Sequence, residues 1–316
     1  MDVALDYVIV SFIESFAFPV REATRKQIWW TAQKRKDEGY HVTIVILNNK
    51  AERINQDGVD IVFTDVNTFV RDSDIINILH CINGSIVPGL LHLRRVKAQL
   101  KLLTLTDGSM FWYDKLFLRK CIAFVLPIVF HKIYVYSNYQ YNRLPNKKGV
   151  YIIKPILPSI KRKDVCKTDK PSVLYMGHIT RMKGFDFIIP AMDRLLKSIP
   201  GLQFVICNNM ISVEQVYIDR INNLRERYPD QVILKGVIDP VEELSKAWVY
   251  IYPFIDDVGT MAFSLSLYEA QCCKTPFVAC DVAANKEFFD SRYLIDPGSE
   301  EQLYDKIKQF IDERKD

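Results

Sequence analysis

Short apolar runs alternate with stretches of helical periodicity along nearly the whole chain. Residues 7–12 form a largely apolar run. A loop passes through Pro19, and residues 21–38 carry a helical pattern that stops at Gly39. Residues 41–47 are continuously apolar and β-branched, as a strand buried on both faces should be. Further strands are expected at 61–63, 76–80, 102–105 and 132–137, with helical segments between most of them. Residues 154–171, KPILPSIKRKDVCKTDKP, are rich in Pro, Lys and Ser without amphipathic period and read as a linker. Beyond them the alternation restarts, with strands at 173–176, 204–207, 232–234, 248–252 and 277–280 and helices at 185–198, 213–228, 241–246 and 300–313. Strands alternating with helices at this spacing imply parallel βαβ units. The fold class expected is therefore α/β, with two Rossmann-like, doubly wound parallel-sheet domains, residues 1–160 and 161–316, facing across a cleft at the carboxyl ends of their strands.

Composition narrows the class of protein. A chain of 316 residues that is 49% hydrophobic and 25% charged is long enough for about two globular cores and too apolar for disorder. The net charge of +4 is small and Lys and Arg are interspersed with acids, so a nucleic-acid partner is not implied. Seven cysteines, an odd number without paired CxxC spacing, read as reduced core thiols of a cytoplasmic protein. The N-terminus carries acids where a secretory signal needs bases. The apolar run 121–130 is about half of what a bilayer span needs. The five histidines lack ligand spacing, so no metal is expected.

Candidate chemistry concentrates in residues 251–279, IYPFIDDVGTMAFSLSLYEAQCCKTPFVA, which read as strand, loop, helix and strand. Phe263, Leu267 and Ala270 fall at helical spacing, and Glu269 lies on a different face of that helix. A helix that starts just after a glycine-containing loop aims unpaired N–H groups and a positive dipole end outward, which suits a diphosphate. The plainer alternative is an ordinary helix with a solvated Glu. Earlier in the same domain Gly177 directly follows a strand and permits close backbone approach, and Arg181 and Lys183 in the next turn can meet phosphate oxygens. They read equally well as solvated loop residues.

The order Gly177, Lys183-Gly184, PGLQFVI at 200–206, VILKGV at 232–237, Glu269-Ala270 and Thr275-Pro276 resembles the nucleotide-binding half of GT-B glycosyltransferases, and within them glycosyltransferase family 4, the large retaining group. The resemblance covers the second domain; the first matches in layout only, with IYVYSNYQYNRL at 133–144 similar to the family's strand and serine before the crossover. It implies transfer of a hexose-type sugar from a nucleoside diphosphate sugar, a donor substrate and not a cofactor, to a hydroxyl of a glycan or lipid-linked acceptor. Retention of anomeric configuration without a metal is implied as well.

Carried over by position, Lys183 and Arg181 would stabilise charge developing on the diphosphate. Gly177 and His178 would line its approach. Glu269 would accept hydrogen bonds from the ribose, and backbone N–H groups at Phe263, Ser264 and Leu265 would face the distal phosphate. The base would lie near Asn208, Val237 and Ile238. The chain departs from the family pattern at Met261, where a carboxylate belongs; Asp256 and Asp257 lie just upstream. It departs also at Thr106, where many relatives carry histidine, which leaves Asp107 as the polar group to hold the acceptor or take its proton. A Gly-Gly loop after the first strand is replaced by FAFPVREATRK, with Arg21 and Arg25 as substitute phosphate contacts. These departures keep two alternatives open: a sugar-nucleotide epimerase or hydrolase of the same fold, and a catalytically degenerate partner subunit. The apolar segment 116–130, edged by Arg119, Lys120, His131 and Lys132, suits either core packing or peripheral contact with a membrane.

Overall fold

A computed structural model of the protein describes residues 4–315 except 21, 112–115, 166, 209–212 and 257–259. Arg21 and Asp257 therefore lie outside the described residues. The chain divides into two compact units: Met1–Pro158 with Val258–Phe263, and Ser159–Asp257 with Ser264–Asp316.

The first unit contains β1 (Asp6–Ser11), α1 (Ala23–Asp37), β2 (His41–Leu47), β3 (Glu52–Gln56), β4 (Val59–Thr64), α2 (Val66–Asp72), β5 (Ile76–Asn83), β6 (Ala98–Leu105), α3 (Leu116–Val129), β7 (Lys132–Val135), α4 (Asn138–Arg143) and β8 (Val150–Ile152), with a 3₁₀ segment at Pro88–Arg95. Its sheet runs β3-β4-β2-β1-β5-β6-β7-β8 and is parallel except for β3, which pairs antiparallel with β4. Strand periodicity splits the core between the two faces. Ile9, Ile44, Ile46 and Ile61 pack with Ile28 and Ala32 of α1 on one side. Val10, Val45, Cys81 and Leu103 pack with Ile122, Ala123 and Leu126 of α3 on the other.

The second unit contains β9 (Ser172–Met176), α5 (Phe185–Ser198), β10 (Gln203–Cys207), α6 (Gln215–Arg227), β11 (Val232–Lys235), α7 (Pro240–Lys246), β12 (Val249–Tyr252), α8 (Leu265–Cys272), β13 (Phe277–Cys280), α9 (Asn285–Phe288), β14 (Leu294–Ile295) and α10 (Glu300–Lys315). Its sheet is wholly parallel, in the order β11-β10-β9-β12-β13-β14. Every residue of β12 and β13 is buried, the signature of strands covered on both faces. In both sheets the strand order reverses direction beside the first strand, between β1 and β5 and between β9 and β12. That reversal is the switch point at which open α/β sheets gather ligand-binding loops.

The cysteines differ partly from expectation. Cys81, Cys207, Cys273 and Cys280 are buried, whereas Cys121 is exposed on α3 and Cys272 is half-buried. Among the described residues no helix is long and apolar enough to cross a membrane.

Candidate functional site

In the second unit the loops after β9, β10 and β12 leave the same edge of the sheet because these strands are parallel. Gly177 directly follows β9 with φ +145, a conformation that favours glycine. Its N–H donates to the Cys207 carbonyl at 3.1 Å, and its own carbonyl accepts from the Asn208 side-chain amide at 2.6 Å. The Tyr175 hydroxyl donates to the carbonyl of His178, whose side chain is exposed. Asn208 is buried, while Val237 is 56% exposed beyond the end of β11 and Ile238 is half-buried beside it.

Residues Arg181–Lys183 form one 3₁₀ turn, closed by the Gly184 N–H on the Arg181 carbonyl at 2.9 Å. Gly184, at φ +85, ends that turn and starts α5. The loop after β12 is tied to it: the Ile255 N–H donates to the Met182 carbonyl at 3.1 Å. The Lys183 ammonium lies 3.6 Å from the centroid of the Phe254 ring, which stacks on Tyr252 at 3.9 Å. Burial pushes the Tyr252 phenol up to about 12 and keeps it neutral. Arg181 is placed differently. Its side chain is 74% exposed with Nε 3.3 Å from Asp186, a carboxylate that also accepts from Tyr217 and Arg220 of α6. The turn thus holds Lys183 at the sheet edge and directs Arg181 toward α6.

Helix α8 starts at Leu265 because Ser264 caps it, its hydroxyl oxygen accepting from the Leu267 N–H at 3.4 Å. Glu269 lies one turn inside and is only 5% exposed. The sequence pattern set it on a face away from the core stripe, but the short helix is packed on several sides: Leu265, Leu267, Glu269 and Ala270 are all buried. A buried carboxylate on a helix that starts at the switch point is held in place and shielded from bulk water.

Residues 260–262 precede this helix in sequence but pair with the first unit, to which residues 258–263 are counted. Met261 bridges antiparallel to Asp107; the Gly108 N–H donates to the Thr260 carbonyl at 2.7 Å and the Ala262 N–H to the Thr106 carbonyl at 2.9 Å. Met261 and Phe263 are each 8% exposed. Asp256 is half-buried.

Asp107 stands at the carboxyl edge of β6, beside the switch point of the first sheet. Its N–H donates to the Gly84 carbonyl at 3.0 Å, and its carboxylate fills the space a side chain on Gly84 would need, with Oδ2 2.7 Å from where Cβ would sit. Thr106 is buried with its hydroxyl 2.9 Å from that of Thr24 on α1. Two residues outside the sequence-level candidates brace this edge. Gln140 donates to the carbonyls of Leu105 at 3.0 Å and Asp107 at 2.9 Å, and its own oxygen accepts from the Tyr136 N–H at 2.7 Å. Asn83 accepts from the Phe12 N–H at 3.2 Å and donates to the Ser85 carbonyl at 2.7 Å. The Asn83-Gly84 dipeptide was a readable turn signal; for Gln140, three residues beyond the capping Ser137, nothing local marked the role. Arg25 is engaged locally, 2.5 Å from Glu22 and 3.1 Å from the Ser15 hydroxyl. Among the described residues no three or more His, Cys, Asp or Glu are grouped as a metal site.

With this geometry in view, comparison with known proteins assigns the family. The sequence profile of glycosyl transferases group 1 matches residues 158–316. The chain belongs to that family. Its fold is GT-B, shared with sucrose-phosphate synthase from Thermosynechococcus elongatus (TM-score 0.75, 16% identity, 98% of this chain and 90% of that one). It is shared also with Anabaena HepE, solved in complex with UDP (TM-score 0.71, 12% identity, 98% and 91%). A glycosyltransferase from Rickettsia africae is similar as well (TM-score 0.69, 14% identity, 97% and 88%). No curated protein matches the sequence. The family match begins one residue before the second unit and includes the switch-point loops around Gly177, Lys183 and α8.

Proposed function

We propose that the protein transfers a hexose-type sugar from a nucleoside diphosphate sugar to a hydroxyl of a glycan or lipid-linked acceptor, with retention and without a metal, as glycosyltransferases of family 4 do. One observation carries the reading: the matched segment 158–316 coincides with a parallel sheet whose switch-point edge holds a glycine-opened loop, a lysine over an aromatic ring and a buried glutamate on the following helix. Anabaena HepE, of the same fold, was solved with UDP and with UDP-glucose.

In this reading the second unit binds the donor. Gly177 and His178 border the diphosphate, and Asn208, Val237 and Ile238 lie by the base. The N-terminal turn of α8, from Phe263 and Ser264 to Leu265, offers N–H groups to the distal phosphate. Glu269 accepts from the ribose hydroxyls. Lys183 stabilises the charge that grows on the diphosphate as the bond from the anomeric carbon breaks, and Arg181 adds longer-range positive potential. The acceptor oxygen bonds to the same face of that carbon, and its proton passes to the departing phosphate. The first unit presents the acceptor, with Asp107 as the polar group that orients its hydroxyl. Met261 offers no acceptor for a sugar hydroxyl, so the hexose is recognised through Asp256 or Asp257 and backbone groups.

The test is a thermal-melting panel of nucleotide sugars followed by product analysis with and without acceptors. Stabilisation by one nucleoside diphosphate series, with sugar transfer that requires acceptor, is the expected result. Conversion of donor without acceptor would instead indicate an epimerase or hydrolase. Absence of any shift would indicate a degenerate subunit, the reading that the replacement at Met261 favours.

A further inference from the structure

The linker read from the sequence is, from Ser159 onward, part of the second unit. It is fastened there by three hydrogen bonds. The Lys163 N–H donates to the Ser245 hydroxyl at 3.2 Å, the Lys167 ammonium to the Ala247 carbonyl at 2.8 Å, and the Trp248 indole N–H to the Thr168 carbonyl at 2.8 Å. The last turn of α10 reaches the same place: Arg314 donates to the Trp248 carbonyl at 3.1 Å, and its guanidinium lies 5.4 Å from the centroid of the Trp248 ring. Linker and α10 therefore meet at the amino end of β12, on the sheet edge opposite the switch-point loops.

They bring three cations together. Burial first, and then the charges of Arg314 and Arg162, lower the Lys167 pKa from 10.5 to about 7; burial and then Arg162 lower that of Arg314. The other titratable group that bears on Lys167 is the Cys273 thiol just past α8, which burial keeps neutral. Neighbouring cations are paired: Lys163 lies 2.7 Å from Asp239, Lys235 2.6 Å from Glu243, Lys246 2.5 Å from Glu242 and Arg292 3.0 Å from Glu313. Among the described residues Arg162, Lys167 and Arg314 have no such carboxylate, and the exposed linker acids Asp164 and Asp169 pair with none of them. Three cations gathered without an anion repel one another, and a dianion placed among them relieves that repulsion. Lys167 and Arg314 each spend one N–H on a backbone carbonyl and keep others for a ligand.

We infer that Arg162, Lys167 and Arg314 form an anion site at the amino edge of the second sheet, which takes a dianion of the phosphate class. Two guanidinium forks and an ammonium are the donors that hold phosphate oxygens. The anion would tie the linker to α10, two segments far apart in the sequence that meet at Ala247 and Trp248. Free inorganic phosphate and a phosphate monoester share this chemistry. The inference is independent of the donor chemistry proposed above, which uses the opposite edge of the sheet.

The test is calorimetric titration of the full chain with sodium sulfate, a dianion that does not titrate near neutral pH, at an ionic strength held constant with sodium chloride. Binding in the millimolar range or tighter is expected at pH 6.5. At pH 8.5 Lys167 must take up a proton when the anion binds, so the affinity should be about tenfold weaker. Arg162→Gln, a change at an exposed side chain, should lower the affinity about tenfold with an unchanged melting temperature. Lys167→Met should weaken binding at pH 6.5 and remove its pH dependence. Lys183→Ala should retain the binding, which separates it from sulfate held at the switch-point edge. Sodium phosphate and glycerol phosphate, titrated in turn, distinguish the sources: the tighter of the two identifies a free ion or an ester. Absence of sulfate binding, affinity that does not change with pH, or full binding by both Arg162→Gln and Lys167→Met would overturn the inference. So would loss of binding in Lys183→Ala, which would assign the anion to the opposite edge.

Discussion

A side chain on Gly184 would begin 2.2 Å from the carbonyl oxygen of Pro253. The turn that carries Lys183 and the loop that carries Phe254 therefore touch backbone to backbone, and only glycine allows it. Gly184→Ala adds a left-handed residue at φ +85 to that clash. It should destabilise the protein by roughly 2–4 kcal/mol, read from urea unfolding, and should lower turnover as well because Lys183 is displaced. A variant as stable as wild type would show that the two loops are not joined in this way.

Lys183→Ala removes the ammonium held 3.6 Å from the Phe254 ring centroid. Turnover should fall about a hundredfold at saturating donor, the usual consequence of losing one stabilising donor at a developing oxyanion, with a smaller effect on donor affinity. Arg181→Ala should have a much weaker effect, because that guanidinium is exposed beside Asp186. Equal losses for the two variants would contradict the separation of their roles.

Gly84 is required by space alone. Its backbone has no positive φ, and the atoms a Cβ would meet belong to the Asp107 carboxylate. Gly84→Ala should therefore displace Asp107 and reduce transfer. In an Asp107→Ala background the same substitution should cost less than about 0.5 kcal/mol in stability and leave the residual rate unchanged, a non-additivity that reports contact. Additive effects would separate the two residues.

Much of the fold was legible because burial on both faces writes itself as apolar runs. Helix α5 appears at the expected residues 185–198, and β2 at 41–47. The strands missed are at edges. β3, ERINQ, has one apolar residue, and β8 and β14 are short. β3 still left a sign in Asp57-Gly58, whose φ values of 49 and 73 make the two-residue turn of the β3–β4 hairpin. Lys183 and Glu269 were singled out as candidates by their place in the ordered family resemblance, since locally each reads equally well as a solvated residue. The pairing of Met261 with Asp107 could not be read, because they lie 154 positions apart and neither carries a local signal of the other. Gln140 went unread for the same reason: its partners are backbone carbonyls of a distant strand end.

His80 predicts an acid-sensitive core. It is buried between the Tyr7 hydroxyl at 2.6 Å and the Thr104 hydroxyl at 2.7 Å. Burial first, and then the Arg35 charge, lower its pKa from 6.5 to about 3. Because the folded value is depressed, the unfolded chain binds the proton more tightly. The stabilisation is complete above about pH 6.5 and is lost progressively as pH falls toward 3, by at most ~5 kcal/mol. His80→Phe should flatten the fall in stability between pH 6.5 and 4 relative to wild type. Parallel stability profiles for the two proteins would exclude His80 as the source.

In the proposed function the second unit grips a nucleoside diphosphate sugar through its switch-point edge, with Glu269 on the ribose. Calorimetric titration of UDP, GDP and ADP into wild type and Glu269→Ala, both checked for folding by melting, tests it most directly. One nucleotide should bind wild type, and the variant should bind it about tenfold to a hundredfold more weakly, as expected when hydrogen bonds to a buried carboxylate are lost. Equal affinity in the two proteins would contradict the assignment of the site.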